Sequence, residues 1–347
     1  MEADQSPIPP SSSQLKLKYD LSPEQKQLSR KIISNYVSGI NTLVYAVCGA
    51  GKTELSYGVI KYALSKGQHV GFALPRRDVV IELYWRIKEA FPQNKVVAVY
   101  GGHTSDLNGD IIVLTTHQIY RYPDYFDLLV MDEIDAFPFK GNDILERFFR
   151  KSIKGHYVLM SATPSEEVIN EFKKPGHGIV ELRTRFHKKP IPTPKTIKRP
   201  KVLQVPYVIK KLMEYEKESK PCLVFYPTIS ECEDAHKIIS MFLKGGNYVH
   251  SKSNTREQTI SRFKKGQYRF LLTTSVLERG VTIKNLQVIV CHSDQENIYD
   301  KNTLIQIAGR AGRKYDAPDG EVIFIGSKET KSMVDAKNEI EFCNTFL

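Results

Sequence analysis

Ala46-Val47-Cys48-Gly49-Ala50-Gly51-Lys52-Thr53 is the segment that decides the fold of this 347-residue chain. It follows a strand-like apolar run and opens a helical pattern, the setting in which a glycine-rich loop wraps its backbone N–H groups around phosphates. Lys52 would then meet the β- and γ-phosphates of a nucleotide, and the Thr53 hydroxyl would bind Mg²⁺. Ala46 stands where the strict pattern has a glycine. A chance Gly-Lys-Thr turn is the alternative, and Cys48 is expected to be a small filler rather than a nucleophile.

Short β-branched runs alternate with helical patterns on both sides of this loop. Such alternation predicts parallel sheets with helices on both faces. Strands are predicted at 43–47, 70–74, 96–100, 111–114, 128–131, 157–160, 223–226, 270–273, 288–290 and 322–325. A helix is placed after Pro206, and Met333, Ala336, Ile340 and Cys343 mark a closing helix.

The chain length predicts two domains, and the alternating pattern breaks once. Residues 183–201 contain eight Lys or Arg, no acid and four prolines, which excludes a regular helix. We expect a disordered, Pro- and Ser-rich leader at 1–18, a first α/β lobe at 19–182 and a second at 202–347. The basic stretch 183–201 is either a linker or the start of the second lobe.

Composition excludes several classes of protein. The apolar runs are strand-length, far below the roughly 18 residues of a membrane span, and the N terminus has no secretory signal pattern. Five scattered cysteines without a C-x-x-C pair indicate neither a zinc site nor a disulfide framework, so a cytoplasmic location is expected. The net charge of +11 weakly favours a polyanionic partner.

Asp132-Glu133-Ile134-Asp135 follows the predicted strand 128–131. A carboxylate at that strand end can hold Mg²⁺, and its neighbour can orient or deprotonate an attacking water. Asp132 takes the metal role and Glu133 the role of the base. A solvated acidic turn is the alternative, and the pairing with Gly51-Lys52-Thr53 argues against it.

Gln306-Ile307-Ala308-Gly309-Arg310-Ala311-Gly312-Arg313 places two arginines three residues apart in the second lobe. Arginine binds phosphate through a planar fork that stays charged, so Arg310 and Arg313 are expected to complete ATP hydrolysis. A basic surface face of a helix is the alternative.

These motifs occur in one order, and together they resemble superfamily 2 helicases and translocases, whose fold is two tandem RecA-like lobes. The further matching pieces are Leu21-Ser22-Pro23-Glu24-Gln25, Pro75-Arg76-Arg77, Thr115-Thr116-His117-Gln118, Ser161-Ala162-Thr163, Phe225-Tyr226-Pro227-Thr228 and Thr273-Thr274-Ser275-Val276-Leu277-Glu278-Arg279-Gly280. The resemblance implies that Gln25 selects adenine. It also implies that Val47, Ala50, Glu54, Gly280 and Gln306 belong to the nucleotide site with the loop residues.

Within that superfamily the chain is most similar to the ComFA family of competence proteins. The more specific signals are Asp135-Ala136-Phe137-Pro138 and Leu277-Glu278-Arg279-Gly280-Val281-Thr282, and Tyr100-Gly101-Gly102 also matches. The resemblance implies an ATP-driven DNA motor that associates with a ComFC-like protein and the membrane DNA-uptake channel, at the inner face of the membrane. The family typically carries a four-cysteine zinc module before the first lobe, and no cysteine precedes Cys48, so no zinc is expected.

The same resemblance places a nucleic-acid track at strand-end loops. The expected contacts to the backbone of one strand are Arg76, Arg77, Thr115, Thr116, Gln118, Thr228, Ser251 and Thr274. Ser161, Ala162 and Thr163 are expected to couple the ATP site to this track. For each hydroxyl a helix cap or turn is the alternative, and His103, His250 and Trp85 are expected to be structural.

The motifs and the family resemblance together predict an ATPase that moves along single-stranded DNA during competence, with formation of a homo-oligomer left open. A duplex-unwinding helicase for DNA or RNA is one alternative. An ATP-gated binding clamp with little turnover is the other.

Overall fold

The structure is a computed structural model that describes residues 14–47, 50–134, 142–183, 189–250, 252–253, 255–274, 283–313, 316–317 and 319–345. It divides into two compact units, Met1–Phe186 and His187–Leu347. Each unit contains one sheet in which every described strand pair is parallel. The predicted fold class, two α/β lobes with flanking helices, is confirmed.

The first unit contains a seven-stranded sheet with the order β3-β4-β2-β5-β6-β1-β7. Its strands are β1 (Asn41–Ala46), β2 (Val70–Leu74), β3 (Val96–Val99), β4 (Ile111–Thr115), β5 (Phe126–Asp132), β6 (Ile153–Ser161) and β7 (His177–Leu182). Its helices are α1 (Pro23–Val37), α2 (Lys52–Ser65), α3 (Arg77–Ala90), α4 (Asp143–Ser152) and α5 (Glu166–Phe172), with a 3₁₀ turn at Thr116–Arg121. Strands β2 and β4 are buried along their whole length, which explains their continuous apolar sequence.

The second unit contains a six-stranded sheet with the order β10-β11-β9-β12-β13-β8. Its strands are β8 (Lys195–Lys198), β9 (Cys222–Phe225), β10 (Gly246–Val249), β11 (Phe270–Thr273), β12 (Gln287–Val290) and β13 (Val322–Gly326). Its helices are α6 (Lys201–Lys217), α7 (Ile229–Phe242), α8 (Arg256–Lys264), α9 (Lys301–Ala308) and α10 (Lys331–Asn344). The four residues that mark the closing helix are the buried residues of α10.

The first strand and the first helix of the second unit bear on two expectations from the sequence. A helix that starts after Pro206 is wrong, because α6 begins at Lys201 and contains Pro206. A proline so near the N terminus removes only the hydrogen bond to the Val202 carbonyl, and Val202 is exposed, so that water can replace it. Within the basic stretch 183–201, β8 pairs with β13, so this part belongs to the second sheet.

The predicted leader is partly described. The Lys16 N–H donates to the Ala90 carbonyl (2.9 Å) and the Gln14 N–H to Gln93 Oε1 (3.2 Å), which holds residues 14–16 against the end of α3. Residues 1–13 lie outside the described part of the chain.

Among the described residues, no helix is both long enough and apolar enough to span a bilayer.

Candidate functional site

The loop after β1 leads directly into α2 through Gly51. Gly51 has a left-handed backbone (φ +77°) and is the N-cap of α2, which has no side-chain cap. A helix N terminus in this form can donate backbone hydrogen bonds to an anion. Before it, the Val47 N–H donates to Leu182 and the Ala50 N–H to the Val47 carbonyl, both at 3.1 Å. Cys48 and Gly49, two predicted nucleotide contacts, lie outside the described residues.

Gln25 links α1 to this loop. The sequence Ser22-Pro23-Glu24-Gln25 forms a capping box, in which Gln25 Oε1 accepts from the Ser22 N–H at 2.9 Å. Gln25 Nε2 donates to the Ala50 carbonyl at 2.8 Å, and the residue is buried. A side chain at position 51 would place its Cβ only 2.8 Å from Gln25 Nε2, so that any residue other than glycine would have to displace the Gln25 amide as well as adopt the left-handed backbone.

Lys52 and Asp132 lie together although eighty residues separate them. Lys52 begins α2, Asp132 ends β5, and their Nζ and Oδ1 atoms are 2.9 Å apart. Burial raises the pKa of Asp132, and the Lys52 ammonium opposes that rise. The carboxylate is therefore buried beside a cationic group, and its oxygens suit Mg²⁺. Thr53, the other predicted metal ligand, follows Lys52 in the first turn of α2 and is half-buried.

Glu133 has a strained backbone. Its φ is +61°, which is uncommon for a residue with a side chain. Its N–H is close to both the Met160 carbonyl (3.0 Å) and Asp132 Oδ1 (2.8 Å), which hold this conformation. Strain of this kind is frequent at functional sites.

Strand β6 lies between the strands that carry these groups. Tyr45 of β1 pairs with Ser161, and Asp132 of β5 pairs with Met160. Beyond Ser161 the chain turns, because Ser161 Oγ accepts from the Thr163 N–H at 2.9 Å. The predicted coupling residues Ser161, Ala162 and Thr163 therefore lie at the same sheet edge as Lys52 and Asp132.

Glu54, a predicted nucleotide contact, forms an ion pair with Arg86. Arg86 Nη2 is 2.5 Å from Glu54 Oε1, which connects the first turn of α2 to the middle of α3. Burial opposes the charge of Arg86, but Glu54 and the other negative groups nearby outweigh it and raise the pKa of Arg86. The motif pattern gives no signal of this ion pair.

The first unit brings its candidate nucleic-acid contacts to the carboxyl ends of β2 and β4, which are neighbours in the sheet. Arg77 is exposed at the start of α3, and Arg76 before it is half-buried. Thr115 and Thr116 are buried, so their side chains offer little surface. Gln118 is half-buried, and its Oε1 accepts from Arg121 Nε at 2.6 Å.

The second unit likewise places Thr228 and Thr274 after neighbouring strands, β9 and β11. Thr228 is the N-cap of α7, and its hydroxyl accepts from the Glu231 N–H. Thr274 is buried. Ser251 and Gly280 lie outside the described residues.

The arginine motif of the second unit forms the end of α9 and a tight turn. Gln306 and Arg310 are buried, and Arg313 is half-buried. Residues 309–312 form a turn in which Gly312 has a φ of +59°. Arg310 is thus part of a buried turn and not of a basic surface face of a helix.

Two families match the chain. Residues 18–166 match the family described as type III restriction enzyme, res subunit, and residues 204–315 match the helicase conserved C-terminal domain. The Dbp5 structure of S. cerevisiae, bound to RNA and ADP BeF3, has a TM-score of 0.69 at 17% identity, and the match covers 94% of this chain and 93% of that one. At this identity the likeness shows the fold alone.

Two curated proteins match nearly the whole chain. The competence protein ComFA of Bacillus subtilis is 35% identical over 344 residues, which cover 95% of this chain and 74% of the relative. The competence protein ComFA of Streptococcus pneumoniae is 32% identical over 346 residues, 96% of this chain and 80% of the relative.

Proposed function

Because the chain belongs to the ComFA family of competence proteins, we propose that it is a motor that moves along single-stranded DNA and drives DNA import. Its helicase-family domains imply an ATPase or helicase that uses ATP with Mg²⁺, and nucleic-acid binding is expected of them. Beyond the activity that these domains imply, we propose movement along one strand and a role in DNA uptake.

The observation that carries the proposal is the carboxyl edge of the first sheet. There Lys52 and the helix start at Gly51 supply donors for the phosphates of a nucleoside triphosphate, and the carboxylates of Asp132 and Glu133 follow at the end of β5. Thr53 and Asp132 would hold Mg²⁺, which neutralises negative charge on the phosphates when bound. Lys52 would bind the outer phosphates, and Glu133 would orient the attacking water and take its proton.

The same edge offers contacts to a nucleic-acid backbone. Arg77 is exposed after β2, and Gln118 follows the neighbouring β4. Guanidinium and amide groups bind phosphate oxygens without distinguishing bases, so we expect binding that is independent of sequence and weakened by salt. The buried Thr115 and Thr116 would contribute through their backbone.

The position of β6 supports coupling between these two functions. Its end, Ser161, pairs with the strand before the phosphate loop and lies beside the strand that ends at Asp132. A change at the phosphates can therefore reach the turn Ser161–Thr163 through adjacent strands. In the second unit, we propose that Gln306, Arg310 and Arg313 also serve ATP hydrolysis, because charged forks stabilise transferred phosphoryl groups.

Steady-state ATP hydrolysis tests the proposal, measured with no polymer, single-stranded DNA, duplex DNA or single-stranded RNA. Glu133→Gln serves as the blank, since loss of a general base typically costs 10²- to 10⁴-fold. We expect strong stimulation by single-stranded DNA. Directional displacement of streptavidin from one biotinylated end of the strand then reports movement.

Stimulation mainly by RNA, or efficient separation of a duplex, would replace the translocase with a helicase. A rate that is the same in all four conditions and unaffected by Glu133→Gln would contradict the ATPase assignment and favour a binding clamp.

We also propose action at the inner face of the membrane, with a ComFC-like protein and the DNA-uptake channel as partners. In a transformable host that lacks its own ComFA, the wild-type chain should restore DNA uptake and Glu133→Gln should not. Equal uptake with both chains would contradict a motor role.

A further inference from the structure

A rigid turn follows edge strand β3 in the first unit, formed by Tyr100, Gly101, Gly102 and His103. The Tyr100 N–H donates to the His103 carbonyl (3.2 Å), and the His103 N–H donates to the Tyr100 carbonyl (2.8 Å). Gly102 has a φ of +82°. It is the second central residue of the turn, the position at which a type II turn requires a positive φ and therefore favours glycine. His103 Nδ1 donates to the Ala98 carbonyl at 2.9 Å, so the imidazole as well as the backbone is held in place.

The turn carries a stack of three side chains. The rings of Tyr100 and His103 are nearly parallel, with an interplanar angle of 20° and centroids 4.9 Å apart. The Arg77 guanidinium lies 4.9 Å from the centroid of the Tyr100 ring. Arg77 belongs to α3 after β2, and β4 lies between β2 and β3, so the stack bridges the carboxyl end of β4.

The stack is open to a ligand. His103, Arg77 and both glycines are exposed. At Gly101 and Gly102 an added Cβ would meet no atom within 4 Å, so the space beside both glycines is open. The exposed guanidinium also attracts a polyanion to the same place.

These observations fit the base of a nucleotide whose phosphate lies near Arg77. Aromatic rings bind single strands by stacking on bases, which tolerates any sequence, and a ring fixed before binding loses little conformational freedom. We propose that His103, supported by Tyr100 and Arg77, stacks on a base of the bound single-stranded DNA. The inference rests on the proposed function and adds a base contact to a track that otherwise consists of backbone contacts.

Equilibrium binding of a labelled 20-nucleotide strand by the full chain tests this inference, alongside a strand of equal length without bases. His103→Ala should weaken binding of the base-containing strand about 5- to 20-fold and leave binding of the abasic strand unchanged. His103→Phe should restore most of the affinity, because it keeps a ring. The slope of log Kd against log salt should stay as in the wild type for His103→Ala and fall by about one for Arg77→Ala.

His156→Ala is the matched control. His156 contacts Tyr36 (centroids 6.1 Å apart) near the start of β6, at the amino edge of the same sheet. It should bind both strands as the wild type does.

Two results would overturn the inference: His103→Ala binding the base-containing strand as tightly as the wild type, or losing equal affinity for the abasic strand. If the wild-type chain binds neither strand, the proposed function itself fails. If it binds them and His103→Ala makes no difference, only the base contact fails.

Discussion

Two buried or half-buried carboxylates form ion pairs with lysines, one at the carboxyl edge of the first sheet and one at the amino edge of the second. Asp132 ends β5 at the carboxyl edge of the first sheet, and its Oδ1 is 2.9 Å from Lys52 Nζ. Glu321 precedes β13 at the amino edge of the second sheet, and its Oε2 is also 2.9 Å from a lysine, Lys211. By this distance alone the two pairs are equivalent.

Their surroundings differ. Glu321 also accepts from Lys195 (2.8 Å) and from the Tyr215 hydroxyl (2.6 Å). Burial alone would raise the pKa of Glu321, but these hydrogen bonds outweigh it and lower the pKa to about 2. For Asp132 burial wins, and the pKa is raised. A carboxylate supplied with several donors stabilises the fold, whereas a buried one with raised pKa is typical of a functional site.

The largest expected difference is in ATP hydrolysis. Lys52→Ala should lower the ATPase rate about 100-fold or more, because it removes a charge that stabilises the transferred phosphate. Lys211→Ala should change the ATPase rate less than twofold, because its ion pair with Glu321 lies at the amino edge of the second sheet. The ATPase rates of both variants are compared at equal concentrations of folded protein, and circular dichroism measures the folded fraction. Equal losses would mean that the two pairs have the same kind of role.

The second comparison uses two glycines with similar backbone angles. Gly51→Ala (φ +77°) should weaken ATP binding about tenfold, because its Cβ forces Gln25 away from the Ala50 carbonyl. Gly176→Ala (φ +81°), just before β7, has open space around its Cβ and should cost only the backbone strain, about 1 kcal/mol, with unchanged ATP affinity. Titration with a fluorescent ATP analogue and thermal melting separate these effects. A Gly51→Ala chain that binds ATP normally would contradict the steric argument.

The smallest effect concerns stability against pH. Since folding lowers the pKa of Glu321 from 4.5 to about 2, its contribution is present above pH 4.5 and is lost as the pH falls from 4.5 to 2. Glu321→Gln should therefore lower the free energy of unfolding by about 1 kcal/mol at pH 7, a value reduced for partial exposure, and by less at pH 3. Urea denaturation at both pH values measures this. A difference that grows toward pH 3 would have the wrong sign.

The sequence predicts the fold class because buried strands are continuous apolar runs. The strands that it misses are β7, β8 and β10, and each lies at the edge of its sheet. They are partly exposed and rich in polar residues, so their sequences lack a run that stands out. Pairing with a neighbour, and not local preference, makes them strands.

For the candidate site, the sequence predicts which residues meet but not their backbone conformations or their hydrogen bonds. Motif order alone predicts that Lys52 and Asp132 meet. It does not predict the left-handed backbone of Glu133, the bond from Gln25 to Ala50 or the stack of Tyr100 on His103. These features depend on how distant segments of the chain pack. Sequence spacing alone does not single out His103, and for this reason His103 is expected from the sequence to be structural.

The edge strand β8 has a consequence for how the second unit is made. It is the first described strand of that unit to leave the ribosome, yet its partner is β13, and Lys195 of β8 and Glu321 just before β13 are 126 residues apart. A strand that waits for so distant a partner gives a high contact order and slow closure. Because charged side chains disfavour pairing of a strand edge with another chain, we expect Lys195 and Lys198 to protect β8 until β13 is synthesised.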